Sequence, residues 1–136
     1  MQARLDGRNA IITGGSAGIG KAIAKSFLTS GANVAIVARR REVLDAAKAE
    51  IEAEGAKTGS TGKVIALSAD IRRDDKCTAV IDKIVAEFGK IDVLVNNAGT
   101  SQRGAFLDVS DEVWQDDLDL KLFSAIRLSR LVIPGM

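Results

Sequence analysis

Four short runs of β-branched and aliphatic residues alternate with longer helical patterns along the whole chain, and that alternation constrains the fold more than any other feature. The runs are "NAIIT" (Asn9 to Thr13), "NVAIVA" (Asn33 to Ala38), "KVIALS" (Lys63 to Ser68) and "IDVLVN" (Ile91 to Asn96). Each is nearly continuous in apolar residues, the pattern of strands buried on both faces of a parallel sheet. Helices are predicted between them over about Gly18–Ser30, Arg41–Glu54 and Asp74–Phe88, each stopping at a glycine: Gly31, Gly55 and Gly89. A left-handed cap there costs glycine nothing sterically. Ala56–Lys63, small and polar, reads as a loop tip. Strand, helix, glycine, strand in repetition is the order of right-handed βαβ crossovers, so the fold class is α/β with an open, doubly wound parallel sheet.

With 136 residues and 46% apolar composition the chain has material for one domain, taken as 1–136. A net charge of +1 provides no field to recruit nucleic acid or an acidic membrane surface. No run approaches the roughly 18 apolar residues of a membrane span, so no membrane partner is expected. A single cysteine, Cys77, and no histidine exclude a disulfide framework and a zinc site of His and Cys, and fit a reducing, cytoplasmic setting. Cys77 itself reads as an inert, small buried residue. A last helix is predicted from Ser110 as N-cap, with Asp111 and Glu112 in its first turn, to about Ile133. Leu118, Leu122, Ile126 and Ile133 form one stripe on it, widened by Leu120, Phe123 and Leu131. Since no strand follows this helix, the domain is expected to be incomplete at its C-terminus, the N-terminal part of a longer protein.

The stretch "TGGSAGIGKA" (Thr13 to Ala22) fits two kinds of phosphate-binding loop. Counted from Gly15, four residues separate it from Gly20 and Lys21, as in a mononucleotide P-loop. That loop needs a Ser or Thr after the lysine to ligate magnesium, and an acid at the end of an apolar strand. The chain has Ala22 and Asn96 at those places, which argues against an NTPase. Counted from Gly14, the glycines 14, 18 and 20 suit a dinucleotide-binding turn. The first permits the turn out of the strand, the second lets backbone approach a pyrophosphate, and the third lets the helix pack close. The helix start near Gly18 then offers its N–H groups and dipole to the anion, and Lys21 is an ordinary first-turn residue.

"TGGSAGIG" (13–20), "AD" (69–70) after the third strand and "NNAG" (96–99) after the fourth together resemble the short-chain dehydrogenase/reductase family, in order and spacing over essentially the whole chain. The resemblance implies a Rossmann-like sheet of strand order 3-2-1-4, with Gly14, Ser16, Ala17, Gly18, Ile19 and Gly20 along the cofactor. It also implies that Asp70 accepts a hydrogen bond from the adenine amino group with the Ile71 backbone beside it. The alternative for Asp70 is an acid complementing a helix N-terminus. Asn97, Ala98 and Gly99 resemble the segment whose backbone lies along the cofactor ribose, with Asn96 expected to brace the central sheet. An NAD-selecting fold places an acid at the end of strand two. Ala38 stands there, followed by Arg39, Arg40 and Arg41. A guanidinium matches the 2′-phosphate, so NADP(H) is expected rather than NAD(H), with Arg39 as main contact and Ser16 as helper.

Membership implies an oxidoreductase transferring hydride between nicotinamide and a small-molecule carbonyl or alcohol, with a site of Tyr, Lys, Ser and Asn. The chain has no tyrosine, so the general acid and the Ser and Lys that accompany it are not in this sequence. Gapless alignment of Trp114–Met136 puts Lys121 at the place of the family's Asn, either as a proton relay or as a snorkelling lysine on a helix edge. Trp114 is expected in the core or a subunit interface. The 110–133 helix resembles the family's usual oligomer interface, so a homo-oligomer is expected. A cofactor-binding member without catalysis, a regulator or scaffold, is the alternative.

Overall fold

The computed structural model describes residues 3–100 and 103–136. Four parallel strands, β1 (Asn9–Thr13), β2 (Asn33–Ala38), β3 (Val64–Ser68) and β4 (Val93–Val95), pair in the order β3-β2-β1-β4. The register sets Ile11 beside Ala35 on one side and Leu94 on the other. Because successive side chains point to opposite faces, each central strand feeds two cores. Ile12, Val34 and Ile36 join Leu28 of α1 (Gly18–Thr29) and Leu44 and Ile51 of α2 (Arg41–Lys57). Ile11, Ala35 and Val37 join Val80 and Ile84 of α3 (Asp74–Phe88) and Leu128 and Val132 of α5 (Ser124–Val132). Two helical layers thus cover the two sheet faces, the Rossmann-like arrangement that the sequence pattern implies.

β1 and β2 are buried almost throughout, but β3 and β4 are largely half-exposed, against the expectation of four fully buried strands. They occupy the two edges of this sheet, where cover is thinner. α2 runs through Gly55 to Lys57 rather than stopping at it. A Cβ on Gly55 would stand 2.6 Å from Leu28 Cδ2, so this glycine serves the close approach of α2 to α1, and the chain turns later, at Gly59 with φ +70°. Gly31 and Gly89 have φ of +98° and +87° and do end their helices.

Ser110 caps α4 (Asp111–Leu118) by accepting a hydrogen bond from the Val113 N–H, as expected. The predicted single helix is, however, interrupted. Asp119–Phe123 form a π-turn before α5 resumes at Ser124. The buried Ser124 hydroxyl donates to the Leu120 carbonyl, giving that oxygen a partner within the turn. Leu128, Val132 and Leu120 pack inward, while Leu118, Leu122, Ile126 and Ile133 are exposed. Among the described residues no helix is long and apolar enough to cross a membrane.

At the N-terminal ends of the strands, Asn9 and Asn33 bind one another and tie in Asp92, Phe88 and Lys63 through side-chain to backbone hydrogen bonds. This fixes one end of the sheet. The opposite, carboxyl end is left for the loops that form the site.

Candidate functional site

β1 leaves the sheet into the glycine turn. The Gly14 N–H donates to the Val37 carbonyl at 2.8 Å, and φ at Gly14 is +68°, a conformation that other residues adopt at a cost. A Cβ there would also stand 3.0 Å from both Ala98 Cα and Asn97 Nδ2. At Gly20, a Cβ would collide with the Gly14 carbonyl oxygen, so α1 can begin this close to the turn only with glycine. In front of Gly18 there is open space. α1 starts at Gly18 with no side-chain cap from Ala17 and no acid in its first turn, so its leading N–H groups keep their charge for an external anion. A cradle closed behind by two glycines and open in front fits the pyrophosphate of a dinucleotide. Gly15 is needed for packing, since a Cβ there would stand 2.6 Å from Ile36 Cγ2.

Lys21 turns away from this cradle. Its Nζ lies 3.0 Å from Glu50 on α2, so it joins two helices and does not reach over the loop as a P-loop lysine must.

Thr13, buried at the end of β1, organises the facing segment. Its hydroxyl accepts from the N–H groups of Asn97 and Ala98, both at 3.0 Å, and donates to the Val95 carbonyl at 3.3 Å. The Asn97 amide donates to the Gly14 carbonyl at 3.3 Å. The brace expected of Asn96 is therefore made by Asn97. β4 ends at Val95 and Asn96 is exposed, which leaves the following side chain to turn toward β1.

Between these segments runs a crevice bounded by Gly14, Ala38, Arg39, Asp70, Ala98 and Gly99, with Ile71 in its wall. It continues into an open hollow lined by Ser16, Ala17 and Arg39. Ile19 is exposed at the mouth of the glycine turn. Of the three consecutive arginines, Arg40 pairs with Glu42 at 3.1 Å, and Arg41 pairs with Asp45 at 3.5 Å and donates to the Ala66 carbonyl. Arg39 is exposed and makes no ion pair among the described residues. Asp70 is not at a helix start, since α3 begins at Asp74. Its carboxylate is gripped by Arg72, with Nε to Oδ1 at 2.9 Å and Nη2 to Oδ2 at 2.8 Å. That hydrogen-bonded cation holds the Asp70 carboxyl below its ordinary range.

Residues 8–136 match the family of short chain dehydrogenases. The chain belongs to the short-chain dehydrogenase/reductase family. It is 39% identical over 136 residues to the uncharacterized oxidoreductase YvrD of Bacillus subtilis, covering all of this chain and 49% of YvrD. Among solved structures, L-sorbose reductase from Gluconobacter frateurii, complexed with NADPH and L-sorbose, superposes with a TM-score of 0.91 at 36% identity, over all of this chain and 50% of that one. A short chain dehydrogenase from Burkholderia cenocepacia in complex with NADP superposes at 0.88 with 34% identity, over 98% of this chain and 52% of that one. The chain thus spans about half the length of the relatives it matches.

In this family member Lys121 lies within the π-turn. Its side chain runs alongside Gly99, with Cγ and Cε each 3.9 Å from the position of a Gly99 Cβ, and its Nζ is 2.9 Å from Asp117 Oδ1. Lys121 therefore borders the strand-end segment of the crevice, held by a carboxylate one turn earlier. Trp114 is exposed, with its ring centroid 6.1 Å from that of Phe106, and so is not a core residue. Cys77 is fully buried, its thiol donates to the Ile71 carbonyl, and burial pushes its pKa up, as befits an inert thiol. Thr13, Arg72 and the Asn97 amide are the site residues that sequence reasoning missed.

Proposed function

We propose that this chain provides the cofactor crevice of an NADP(H)-dependent oxidoreductase of the short-chain dehydrogenase type, acting on a small carbonyl or alcohol substrate. When bound, NADPH supplies hydride to a carbonyl carbon. Around it, the N–H groups at Gly18, Ile19 and Gly20 receive the pyrophosphate, and Asp70 with the Ile71 backbone receives the adenine. Asn97, Ala98 and Gly99 border the ribose. Arg39, with Ser16 beside it, receives the 2′-phosphate. The observation that carries this reading is Arg39, exposed and without an ion pair among the described residues, beside Ala38 at the end of β2, where an NAD-selecting site has a carboxylate. The NADP-bound relatives support it. Lys121 borders Gly99 with its ammonium paired to Asp117, and a part in proton relay is the role this reading gives it.

Leu118, Leu122 and Ile126 are exposed on the outer face of the α4 to α5 segment, which supports a homo-oligomer formed through residues 110–133. The single buried thiol supports a reducing, cytoplasmic setting. The test is titration of the intact protein with NADPH and NADH, followed by NADPH oxidation against a panel of sugars, ketosteroids and oxoacyl compounds. Tighter NADPH binding with turnover of at least one carbonyl is expected. Tight NADPH binding with no turnover on any of them would favour a regulator, and absence of NADPH binding would refute the proposal.

A further inference from the structure

Asp70 and Arg72 are only two residues apart, yet their contact is more than a surface ion pair. The planar guanidinium spans both carboxylate oxygens, and the Arg72 backbone N–H also donates to Oδ1, at 3.2 Å. A carboxylate has about four acceptor sites, two on each oxygen. Oδ1 therefore has both of its sites filled, by Nε and by the backbone, while Oδ2 has one filled, by Nη2. One site remains, on Oδ2, in a residue that lines the crevice. Arg72 is itself fixed from the other side. Its Nη1 lies 3.4 Å from Asp116 on α4, and its carbonyl accepts from Arg127 of α5 at 2.9 Å. The guanidinium lines a second hollow that it shares with Arg39, Thr100 and Leu120, next to the first.

We propose that Arg72 is the positioning residue of the adenine subsite: it fixes the Asp70 carboxylate with a single acceptor site free for one amino N–H, and ties that subsite to α4 and α5. This rests on the reading of Asp70 as the adenine contact. The preformed fork removes from cofactor binding the cost of ordering a free carboxylate, and it holds the carboxyl below its ordinary range, so that it stays an acceptor to lower pH. The charged groups around the pair act in one direction. Arg72 and Arg39 both favour the Asp70 anion, and Asp116 and Asp119 favour the Arg72 cation. Arg72 makes no hydrogen bond to the glycine turn among the described residues and meets Arg39 only across the hollow they share, so its main effect, exerted through Asp70, is common to both dinucleotides.

The experiment titrates the intact protein with NADPH, NADH and AMP, in wild type and in Arg72→Gln, Arg72→Lys, Asp70→Asn and the double variant. Arg72→Gln should weaken all three ligands by a common factor, roughly three- to thirtyfold, leaving the NADPH to NADH ratio unchanged. It should also move the acid limb of AMP binding to higher pH, a shift that Arg72→Lys, which keeps the charge and loses the fork, should reverse only in part, because the hydrogen-bonded fork is the larger cause. The double variant should bind no more weakly than Asp70→Asn alone, because Arg72 acts through Asp70. If Asp70→Asn weakens AMP and Arg72→Gln does not, the positioning role is overturned while the adenine reading stands. Additive losses in the double variant also overturn it. If Asp70→Asn leaves AMP binding intact, the adenine reading itself falls, and the role of Arg72 with it.

Discussion

Replacing Arg39 by Ala should cost NADPH affinity and spare NADH. The structure singles out this arginine because its two neighbours are engaged, Arg40 with Glu42 at 3.1 Å and Arg41 with Asp45 and the Ala66 carbonyl, so either would have to abandon a partner to reach a phosphate. Arg39 gives up nothing. A charge-assisted hydrogen bond is worth about 1.5 to 3 kcal/mol, which corresponds to about a 10- to 150-fold change in Kd. The hollow beside Arg39 is open to solvent, so the lower half of that range is expected. NADH affinity should change by less than about twofold, since the 2′-hydroxyl offers no charge for the guanidinium. Arg40→Ala should affect both cofactors little. The pair Ala38→Asp with Arg39→Ala should reverse the preference, because a carboxylate repels the 2′-phosphate and accepts from the 2′-hydroxyl. Nicotinamide fluorescence titrations at fixed, moderate ionic strength read all of these, salt being held constant because it screens the contact. Equal wild-type affinities for NADPH and NADH, or an Arg39→Ala variant that weakens both to the same extent, would refute the reasoning.

Lys21→Ala should leave NADPH binding unchanged and reveal no magnesium-dependent nucleotide hydrolysis to lose, because its ammonium is paired with Glu50 away from the loop; phosphate release that vanished in this variant would reverse the assignment of the glycine turn. Thr13→Val keeps the shape of a buried side chain but leaves the Asn97 and Ala98 N–H groups without their acceptor, so denaturant unfolding should show a loss of about 1 to 3 kcal/mol for each donor left dry. Gly15→Ala should destabilise by about 1 to 3 kcal/mol through overpacking against Ile36, and a paired Ile36→Val should recover part of that loss in a thermal melt. Asp92 accepts from the Asn9 backbone N–H, which with the nearby Lys90 and Arg8 holds its carboxyl below the ordinary range. Its stabilising contribution is therefore complete above about pH 4, the unfolded value, and is lost as pH falls through the lower folded one. Asp92→Asn should flatten the acid side of the stability profile, and an unchanged slope would count against this linkage.

The periodic parts of the chain were legible as sequence. β1 and β2 fall where continuous apolar runs place them, and α3 matches at both ends because Asp74 and Asp75 open it and Gly89, at φ +87°, closes it. Gly55 shows the limit of that reading. A glycine after an apolar helix signals a cap or a close approach by the same letter, and only the position of Leu28 across the helix pair distinguishes them. The π-turn at Asp119–Phe123 left almost no trace, since one additional residue in a turn shifts an apolar stripe without breaking it. The one available clue was Ser124, a hydroxyl four residues after Leu120 on the inward side of the helix.

At the candidate site, the glycine turn was legible, because a turn that admits only glycine must use glycine. Those whose side chains set the geometry were not. Thr13 looks like the last residue of a strand, and its three hydrogen bonds depend on β4 lying beside β1 and ending one residue before Asn96. Arg72 follows Asp70 by two, a separation that brings side chains together in no helix and in a strand only sets them along one face without forking. Their pairing exists because the chain has left β3 at Ser68 and not yet entered α3 at Asp74, in a turn where the Arg73 N–H reaches back to the Asp70 carbonyl. Side-chain geometry is thus least legible at the carboxyl ends of the strands, where the chain follows neither period. The order of the sheet makes that same end the crevice, so in this fold the side chains that shape the crevice are the ones for which a sequence pattern offers least warning.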